Sequence, residues 1–267
     1  MGGLAGRRLF SMQPRSTYWV LAGARAVATV GRDGAGEPMT RAQSASTYRL
    51  RQRFGLPEGM RLTARDRAFF ADLAKVGVID AVNASAHHYA ENKSGAGRRL
   101  DKLVSAGLLK RADIIDPSAG QVSVYSYKND RVARAFGGRA IHTGPNRTTY
   151  HELLVSRTYF DVGRPEDFRT AIQFDHQDLA RFGARQPTPP HRRQTFHSIR
   201  GEAAIPDALY TNADSELVVV EADAGHYTTR QIQHKQDRWG QYKQLWAQPA
   251  RAHARVTPTE DVAVFTY

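Results

Sequence analysis

The spacing of apolar residues predicts three consecutive helices after residue 61. The first begins after an N-cap at Thr63, with Asp66 in its first turn. Its large apolar side chains recur at helical intervals and share one face: Phe69, Phe70, Leu73 and Val76. A second helix is predicted over residues 79–88. A third is predicted to begin at Ser94 and to stop at Gly107, a typical residue just past a helix C-terminus.

An alternating pattern then predicts two strands, over residues 108–114 and 121–127, joined by a turn. Three helices followed by a hairpin is the layout of a winged helix-turn-helix, which we assign to residues 61–130. In such a domain the third helix meets the DNA. Its outward positions are predicted to bind DNA: Lys93, Ser94, Arg98, Arg99 and Lys102. A solvated basic face, or a winged helix that binds protein, is the alternative interpretation.

Residues 131–148 are predicted to be a linker, because Gly-Gly and Gly-Pro pairs interrupt any long helix there. A second domain is predicted over residues 149–267. Its expected elements are a helix over 150–160, strands over 169–174 and 196–204, two strands around a turn at 211–215, a helix over 229–247 and a strand over 262–265. The expected fold class is therefore α/β (α+β), with an N-terminal winged helix-turn-helix followed by a mixed sheet flanked by helices.

Acidic residues lie at the ends of the two strands around the 211–215 turn. Asp207 starts the first strand, and Glu221 and Asp223 close the second. Because strand side chains alternate, Glu221 and Asp223 share a face, and pairing of the strands brings Asp207 beside them. Crowded carboxylates raise one another's pKa unless a cation lies between them, and Mg²⁺ or Mn²⁺ binds carboxylate oxygens. The pattern predicts a metal site formed by these three residues, which cleaves phosphodiesters with metal-activated water.

A lysine lies on the apolar face of the helix predicted over residues 229–247. That face consists of Ile232, Lys235, Trp239, Tyr242 and Trp246. An unpaired buried ammonium is costly, so Lys235 either has an acidic partner or reaches past the edge of the face to water. With an acidic partner it is a candidate catalytic residue that stabilises charge on phosphoryl oxygens. Glu152 is a further candidate for catalysis, although a capping box with Thr149 also explains it.

Charge indicates the class of partner. The net charge is +12 with a pI of about 10.2, which favours a polyanion, and we predict double-stranded DNA, with single-stranded DNA near the cut. Residues 1–60 hold nine arginines against three acidic residues and are predicted to be a partly ordered basic arm, with a helix over 41–54. The lack of cysteine excludes disulfides, thiol catalysis and Cys-ligated zinc. With no signal-peptide pattern and no run that spans a bilayer, a cytoplasmic protein without a membrane partner is expected.

The sequence motif around Asp207, Glu221 and Asp223 resembles that of a known family. Pro206-Asp207, followed by Glu221-Ala222-Asp223, resembles the PD-(D/E)xK nuclease superfamily. The resemblance implies that an Asp and a Glu on adjacent strands bind Mg²⁺ and that a lysine two residues after the Glu assists the reaction. Asp223 stands in the place of that lysine. In some members the lysine moves to the following helix, where this chain has Lys235.

The combination of features over residues 62–247 is similar to the replication-relaxation family. It comprises a winged helix, a helix that begins at His151-Glu152, then PDA, VVVEADAG and Lys235. In that family an acidic residue two after the Glu is usual. The resemblance implies nicking of plasmid or conjugative-element DNA at an origin of transfer, with accessory relaxosome proteins as partners.

Two other classes of function remain open at this point. One is a non-catalytic winged-helix replication initiator or transcriptional regulator with a degenerate nuclease domain. The other is a site-specific double-strand endonuclease. Within the enzyme class, Tyr242 or Tyr227 as nucleophile would give a covalent phosphotyrosyl product in place of hydrolysis by water.

Overall fold

The structure is a computed structural model that describes residues 60–89, 93–141, 143, 147–185, 197–198, 205–249, 256 and 258–267. The predicted basic arm and its helix over 41–54 lie outside these residues, apart from Met60. All the described residues belong to one compact unit. The fold that they form is mixed α/β, with seven α-helices, a three-stranded sheet, a five-stranded sheet and a two-stranded ladder.

The first half of the described chain is mostly helical. Its elements are α1 (Ala64–Val76), β1 (Val78–Asp80), α2 (Ala81–His88), α3 (Lys93–Ser105), β2 (Leu109–Asp116), β3 (Gly120–Tyr127) and α4 (Asp130–Ala135). Thr63 caps α1 in a capping box with Asp66, in which each side chain accepts from the backbone N–H of the other. The predicted apolar face of α1 is fully buried, and α3 ends before Gly107, whose φ is +70°. Both predictions are confirmed.

The three-stranded sheet has the order β1–β3–β2 and is antiparallel throughout. Its β2–β3 hairpin is the predicted one, extended by one or two residues at its turn. The helix predicted over 79–88 starts later, at Ala81, because Val78–Asp80 pairs with β3 as β1. Asp80 then caps α2, and its Oδ1 accepts from the backbone N–H of Asn83 at 2.7 Å.

The second half of the described chain is built around the five-stranded sheet. Its elements are α5 (Arg147–Asp161), β4 (Arg169–Thr170), α6 (His176–Arg181), β5 (Ala184–Arg185), β6 (His197–Ser198), β7 (Ala208–Thr211), β8 (Leu217–Ala222), α7 (Thr229–Arg238), β9 (Lys243–Gln248) and β10 (Val262–Thr266). The sheet order is β10–β9–β8–β7–β4. β7 pairs antiparallel with β8 and β4, whereas β8, β9 and β10 run parallel, so α7 is the crossover from β8 to β9.

The predicted final helix over 229–247 is wrong in its second half. α7 ends at Arg238, Trp239 is its C-cap, and Gly240 follows. The residues after it form β9, which lies between β8 and β10 and is buried at nearly every position. A central strand covered on both faces has a continuous apolar run, which also matches helical spacing by chance. The strand predicted over 169–174 is similarly reduced to β4, followed by a 3₁₀ turn over Ala171–Gln173.

α5 lies between the two sheets. It packs against β1 and β2 of the first sheet and against β8 and β9 of the second. Its buried residues Leu153, Leu154 and Val155 join a hydrophobic cluster that extends from Leu62 to Ala247. The two sheets therefore share one core, and the predicted domain boundaries at 61–130, 131–148 and 149–267 stay predictions. The predicted linker contains α4.

A partly buried arginine on α5 connects the helix to the first sheet. The Arg157 guanidinium contacts Asp80 Oδ2 at 3.0 Å and Asp116 Oδ2 at 2.6 Å. Both carboxylates are at most 1 % exposed, so the pairing compensates for burying them. The same guanidinium lies 5.7 Å from the centroid of the Tyr267 ring.

Candidate active site

The candidate site lies where β7, β8, α5 and α7 meet. Asp207, immediately before β7, is fixed beside β8 by two bonds to backbone: its own N–H donates to Val220 O at 3.0 Å, and its Oδ2 accepts from Ala222 N at 2.8 Å. From the other side, Oδ2 lies 3.1 Å from Nε2 of His151 on α5. Asp207 is therefore held by β8 and α5, and His151 is its ion-pair partner.

Glu221 is fully buried within β8, which places its carboxylate under α7. Its Oε2 accepts from Lys235 Nζ at 2.5 Å, and its Oε1 accepts from Trp239 Nε1 at 2.7 Å. Lys235 and Trp239 are four positions apart on α7 and its C-cap, so they project from one face. Of the two explanations for Lys235, the structure shows the acidic partner.

Lys235 also contacts an aromatic ring. Its Nζ lies 4.6 Å from the centroid of the Tyr227 ring, a cation–π distance. Tyr227 follows β8 in the segment that leads into α7, and its ring is partly buried. Tyr242, the other candidate nucleophile, packs against Phe182 in the apolar cluster that also contains Trp239, and no contact with Lys235 is found for it among the described residues. Tyr227 is thus the tyrosine that the fold brings to the candidate site.

The charges in the site shift one another's pKa. The Asp207 carboxylate raises the pKa of His151 to about 9, despite partial burial of the ring. Burial opposes ionisation of Asp207, but His151 and Lys235 hold its pKa below the usual range. For Glu221, burial and the nearby Asp207 charge raise the pKa to about 8, although Lys235 and Trp239 stabilise the carboxylate. Two neighbouring carboxylates with pKa values displaced in opposite directions are typical of sites that exchange protons.

Glu152 follows His151 on α5 and is partly buried. Burial raises its pKa, and the charge of Asp207 adds to that rise while His151 opposes it. α5 begins at Arg147, so Thr149 lies inside the helix and is not its N-cap. The capping-box explanation of Glu152 is therefore wrong.

Asp223 lies just past β8 and is fully buried. Its Oδ1 accepts from the backbone N–H groups of Gly225 and His226, at 2.8 and 3.1 Å, and so shapes the turn into α7. Its Oδ2 is buried and has no hydrogen-bond partner among the described residues. One oxygen is thus structural and the other is available.

The donor chemistry of the site suits a hard cation. Mg²⁺ prefers carboxylate oxygens and is often held by only one or two carboxylates, with water and substrate phosphates completing its shell. Asp207 and Glu221 on adjacent strands, with the spare oxygen of Asp223, fit this requirement by chemical type. Among the described residues, no three His, Asp or Glu side chains are already grouped to hold an ion. His151 and Lys235 instead neutralise the two carboxylates.

The predicted DNA-binding residues of α3 divide into two sets. Ser94, Arg98 and Lys102 are exposed and lie four positions apart, on one face of the helix. Arg99 faces the other way: its Nε donates to Asp66 Oδ1 at 2.9 Å and its Nη2 to Asp66 Oδ2 at 2.5 Å. The side chain of Lys93 lies outside the described residues. The exposed set is the one available to a partner.

Sequence reasoning assigned no role to His151 or Trp239. His151 reaches Asp207 across 56 positions of sequence, and only the packing of α5 on the sheet brings them together. Trp239 was interpreted as an apolar residue, yet its indole N–H is one of the two donors to Glu221. The available signal was the position of Trp239 on the same predicted face as Lys235.

Comparison with known proteins gives no relatives: no family model, curated protein or solved structure matches this chain. In the part of the chain that the structure describes, no helix is long and apolar enough to cross a membrane.

Proposed function

We propose that the protein is a DNA-binding, metal-dependent endonuclease that nicks plasmid or conjugative-element DNA at an origin, in the manner of a relaxase. Its described first half would act as a winged-helix DNA-binding domain, and its five-stranded sheet as a PD-(D/E)xK-like nuclease core. The observation that supports this most is the meeting of Asp207, Glu221 and Lys235 from three separate elements. Those are the residue types that the nuclease motif requires.

Each side chain would have a separate role in this mechanism. Asp207 and Glu221 would hold Mg²⁺ or Mn²⁺, with Asp223 as a third candidate, and the bound metal would polarise the phosphate and lower the pKa of water. The Lys235 ammonium would stabilise charge that develops on the phosphoryl oxygens. His151, which now neutralises Asp207, would keep that carboxylate oriented. Glu152 would add a carboxyl group to the wall of the site.

The exposed face of α3 would hold the DNA. Ser94, Arg98 and Lys102 offer two cations and a hydroxyl along one side of the helix. Arginine and lysine contacts of this kind are made mostly with phosphates, and they position a protein on the duplex.

The test is nicking of a supercoiled plasmid that carries the cognate origin, with and without Mg²⁺. We expect Asp207→Asn and Glu221→Gln to lower the rate of nicking by roughly 10²–10³-fold, the effect of removing one preorganised electrostatic group. Asp214→Asn is the matched control, because Asp214 is an exposed acid in the turn that joins β7 and β8. Nicking that survives both site variants at the wild-type rate would refute the assignment.

A non-catalytic winged-helix initiator or regulator is the second candidate. The observation in its favour is that Asp207 and Glu221 each already have a cation of the protein as partner, and that no three acidic or histidine side chains of the described chain are grouped around a metal position. The same assay separates the two. Specific DNA binding without any nicking in saturating Mn²⁺ supports the regulator.

The product of the reaction distinguishes the enzyme classes. An open-circular plasmid with a free 5′ end is expected for the nickase. A linear plasmid would indicate a double-strand endonuclease. A protein–DNA adduct that is lost in Tyr227→Phe would indicate covalent catalysis, because Tyr227 is the tyrosine beside Lys235.

A further inference from the structure

An open groove of about 310 Å³ lies beside Lys235, outside the carboxylate pairings described above. It is lined by Tyr227, Thr228, Arg230, Gln231, His234 and Lys235. Arg230 and His234 are one turn apart on α7, as are Gln231 and Lys235, so the groove follows one side of the helix. None of these lining residues is acidic.

Two of the lining side chains are available for a ligand. Arg230 and His234 are exposed, and within the described chain neither has an ion-pair partner. The Gln231 side chain is engaged, because its Oε1 accepts from the backbone N–H of Thr228 at 2.8 Å in the capping box of α7. The groove therefore offers a guanidinium group and an imidazole that no carboxylate of the described chain pairs with.

Lys235 connects this groove to the candidate active site. Lys235 lines the groove, and its ammonium contacts Glu221 Oε2 at 2.5 Å. A ligand in the groove thus lies next to the position proposed for the reacting phosphate. An arginine that has no carboxylate partner is suited to a phosphate group, which it binds in a bidentate manner.

We propose that the groove binds a phosphodiester group of the DNA, next to the phosphodiester group that is cut. Arg230 would be its main contact and His234 a second donor. The apolar wall, formed by the Tyr227 ring and side-chain stems, fits the adjoining deoxyribose. This inference rests on the proposed function for its choice of DNA. It adds a binding site that the carboxylate cluster does not include.

The test is equilibrium binding of a labelled duplex in EDTA, measured by fluorescence anisotropy between about 50 and 200 mM salt. Each lost phosphate contact is expected to reduce the slope of log K against log salt by about 0.9. We expect Arg230→Gln to reduce the slope by about that amount, and the Arg230→Gln, His234→Gln double variant to reduce it further. Thermal unfolding checks that these exposed substitutions leave the fold intact.

Arg238→Gln is the matched control, because it removes the same charge from the same helix but does not line the groove. An equal reduction of the slope in Arg230→Gln and Arg238→Gln would overturn the proposal, since it would show only the effect of the protein's overall positive charge. Unchanged binding in Arg230→Gln would also overturn it. Inorganic phosphate that displaces the labelled duplex as effectively as unlabelled DNA does would also overturn it, because the site would then be for a free anion.

The two proposals fail in different ways. Binding in EDTA requires no cleavage, so the groove can be supported even if Glu221→Gln leaves nicking unchanged. Conversely, if nicking depends on Glu221 but Arg230→Gln binds DNA as the wild type does, only the groove proposal fails.

Discussion

Asp66 and Glu221 are both fully buried, yet their pKa values are shifted in opposite directions. Asp66 accepts from the Thr63 backbone and hydroxyl, from the Tyr89 hydroxyl and from two nitrogens of Arg99. Burial alone would raise its pKa, but these donors lower it. Glu221 has two donors and a neighbouring carboxylate, and its pKa rises to about 8. Burial alone therefore does not set the direction of the pKa shift, which depends on the number of donors and on a neighbouring like charge.

The cations that pair with these two carboxylates differ as well. Arg99 completes the donor set that holds α3 against the capping residues of α1. Lys235 is shared between Glu221, the Tyr227 ring and an open groove. Arg99 is engaged within the fold, whereas Lys235 also lines an open groove.

The largest expected effect is on stability at Asp66. Asp66→Ala leaves the Arg99 guanidinium and the Tyr89 hydroxyl without their partner, and we expect a loss of about 3–5 kcal/mol in the free energy of unfolding. Asp113→Ala is the control, because Asp113 forms an exposed pair with Arg111 and should cost about 1 kcal/mol or less. Urea unfolding measures both. Equal losses in the free energy of unfolding would show that the donors around Asp66 stabilise the fold no more than an exposed ion pair does.

Next in size is the effect of Lys235 on the reaction. We expect Lys235→Gln to reduce the rate of nicking by roughly 10²–10³-fold, because a preorganised positive charge is lost. Lys243→Gln removes a lysine whose partner, Asp261, is exposed, and should leave the rate unchanged. Lys235→Arg provides a second measurement if Lys235→Gln fails to fold, since it retains the charge and alters the geometry. Wild-type rates in a folded Lys235→Gln would contradict the assigned role.

The smallest expected effect is a change in the acid dependence of stability. The folded pKa of Asp66 is lowered from 3.8, so its stabilisation is complete well above pH 3.8 and is lost as the pH falls toward the folded pKa. Between the folded and unfolded pKa values of Asp66, the free energy of unfolding changes by up to about 1.4 kcal/mol per pH unit. Asp66→Asn has no such carboxylate, and its stability should fall less steeply over that window. Urea unfolding at a series of acidic pH values measures the two slopes, and parallel curves would exclude Asp66 as the cause.

Local patterns were sufficient to predict much of the fold. The apolar face of α1, the Thr63 cap, the end of α3 at Gly107 and the β2–β3 hairpin all depend on residues within a few positions of one another. The pair of acidic strands was also predictable, since the β7–β8 turn is short and the alternation of side chains is clear. An inward lysine on an apolar face left two explanations open, and only the structure shows that Lys235 has an acidic partner.

Long-range packing explains what sequence reasoning missed. The contact between His151 and Asp207 depends on how α5 lies against the sheet, for which no local signal exists. Trp246 continues the spacing of Lys235 and Trp239 but belongs to β9, because a strand buried on both faces is as apolar as a helix face. Arg99 shows the same limit, since an arginine on α3 gives no indication that Asp66 of another helix will bind it.

The position of α5 between the two sheets has a mechanical consequence. His151 reaches the carboxylate cluster, and Arg157, about 9 Å further along the helix axis, reaches Asp80 and Asp116 of the first sheet. The same helix thus carries a candidate-site residue near its start and, further along, an arginine that pairs with carboxylates of the first sheet. We therefore expect that a displacement of Asp116 with the β2–β3 hairpin would move His151 relative to Asp207. A fragment cut at residue 149 would leave Arg157 without either anchor, and the alignment of His151 would be lost along with the first sheet.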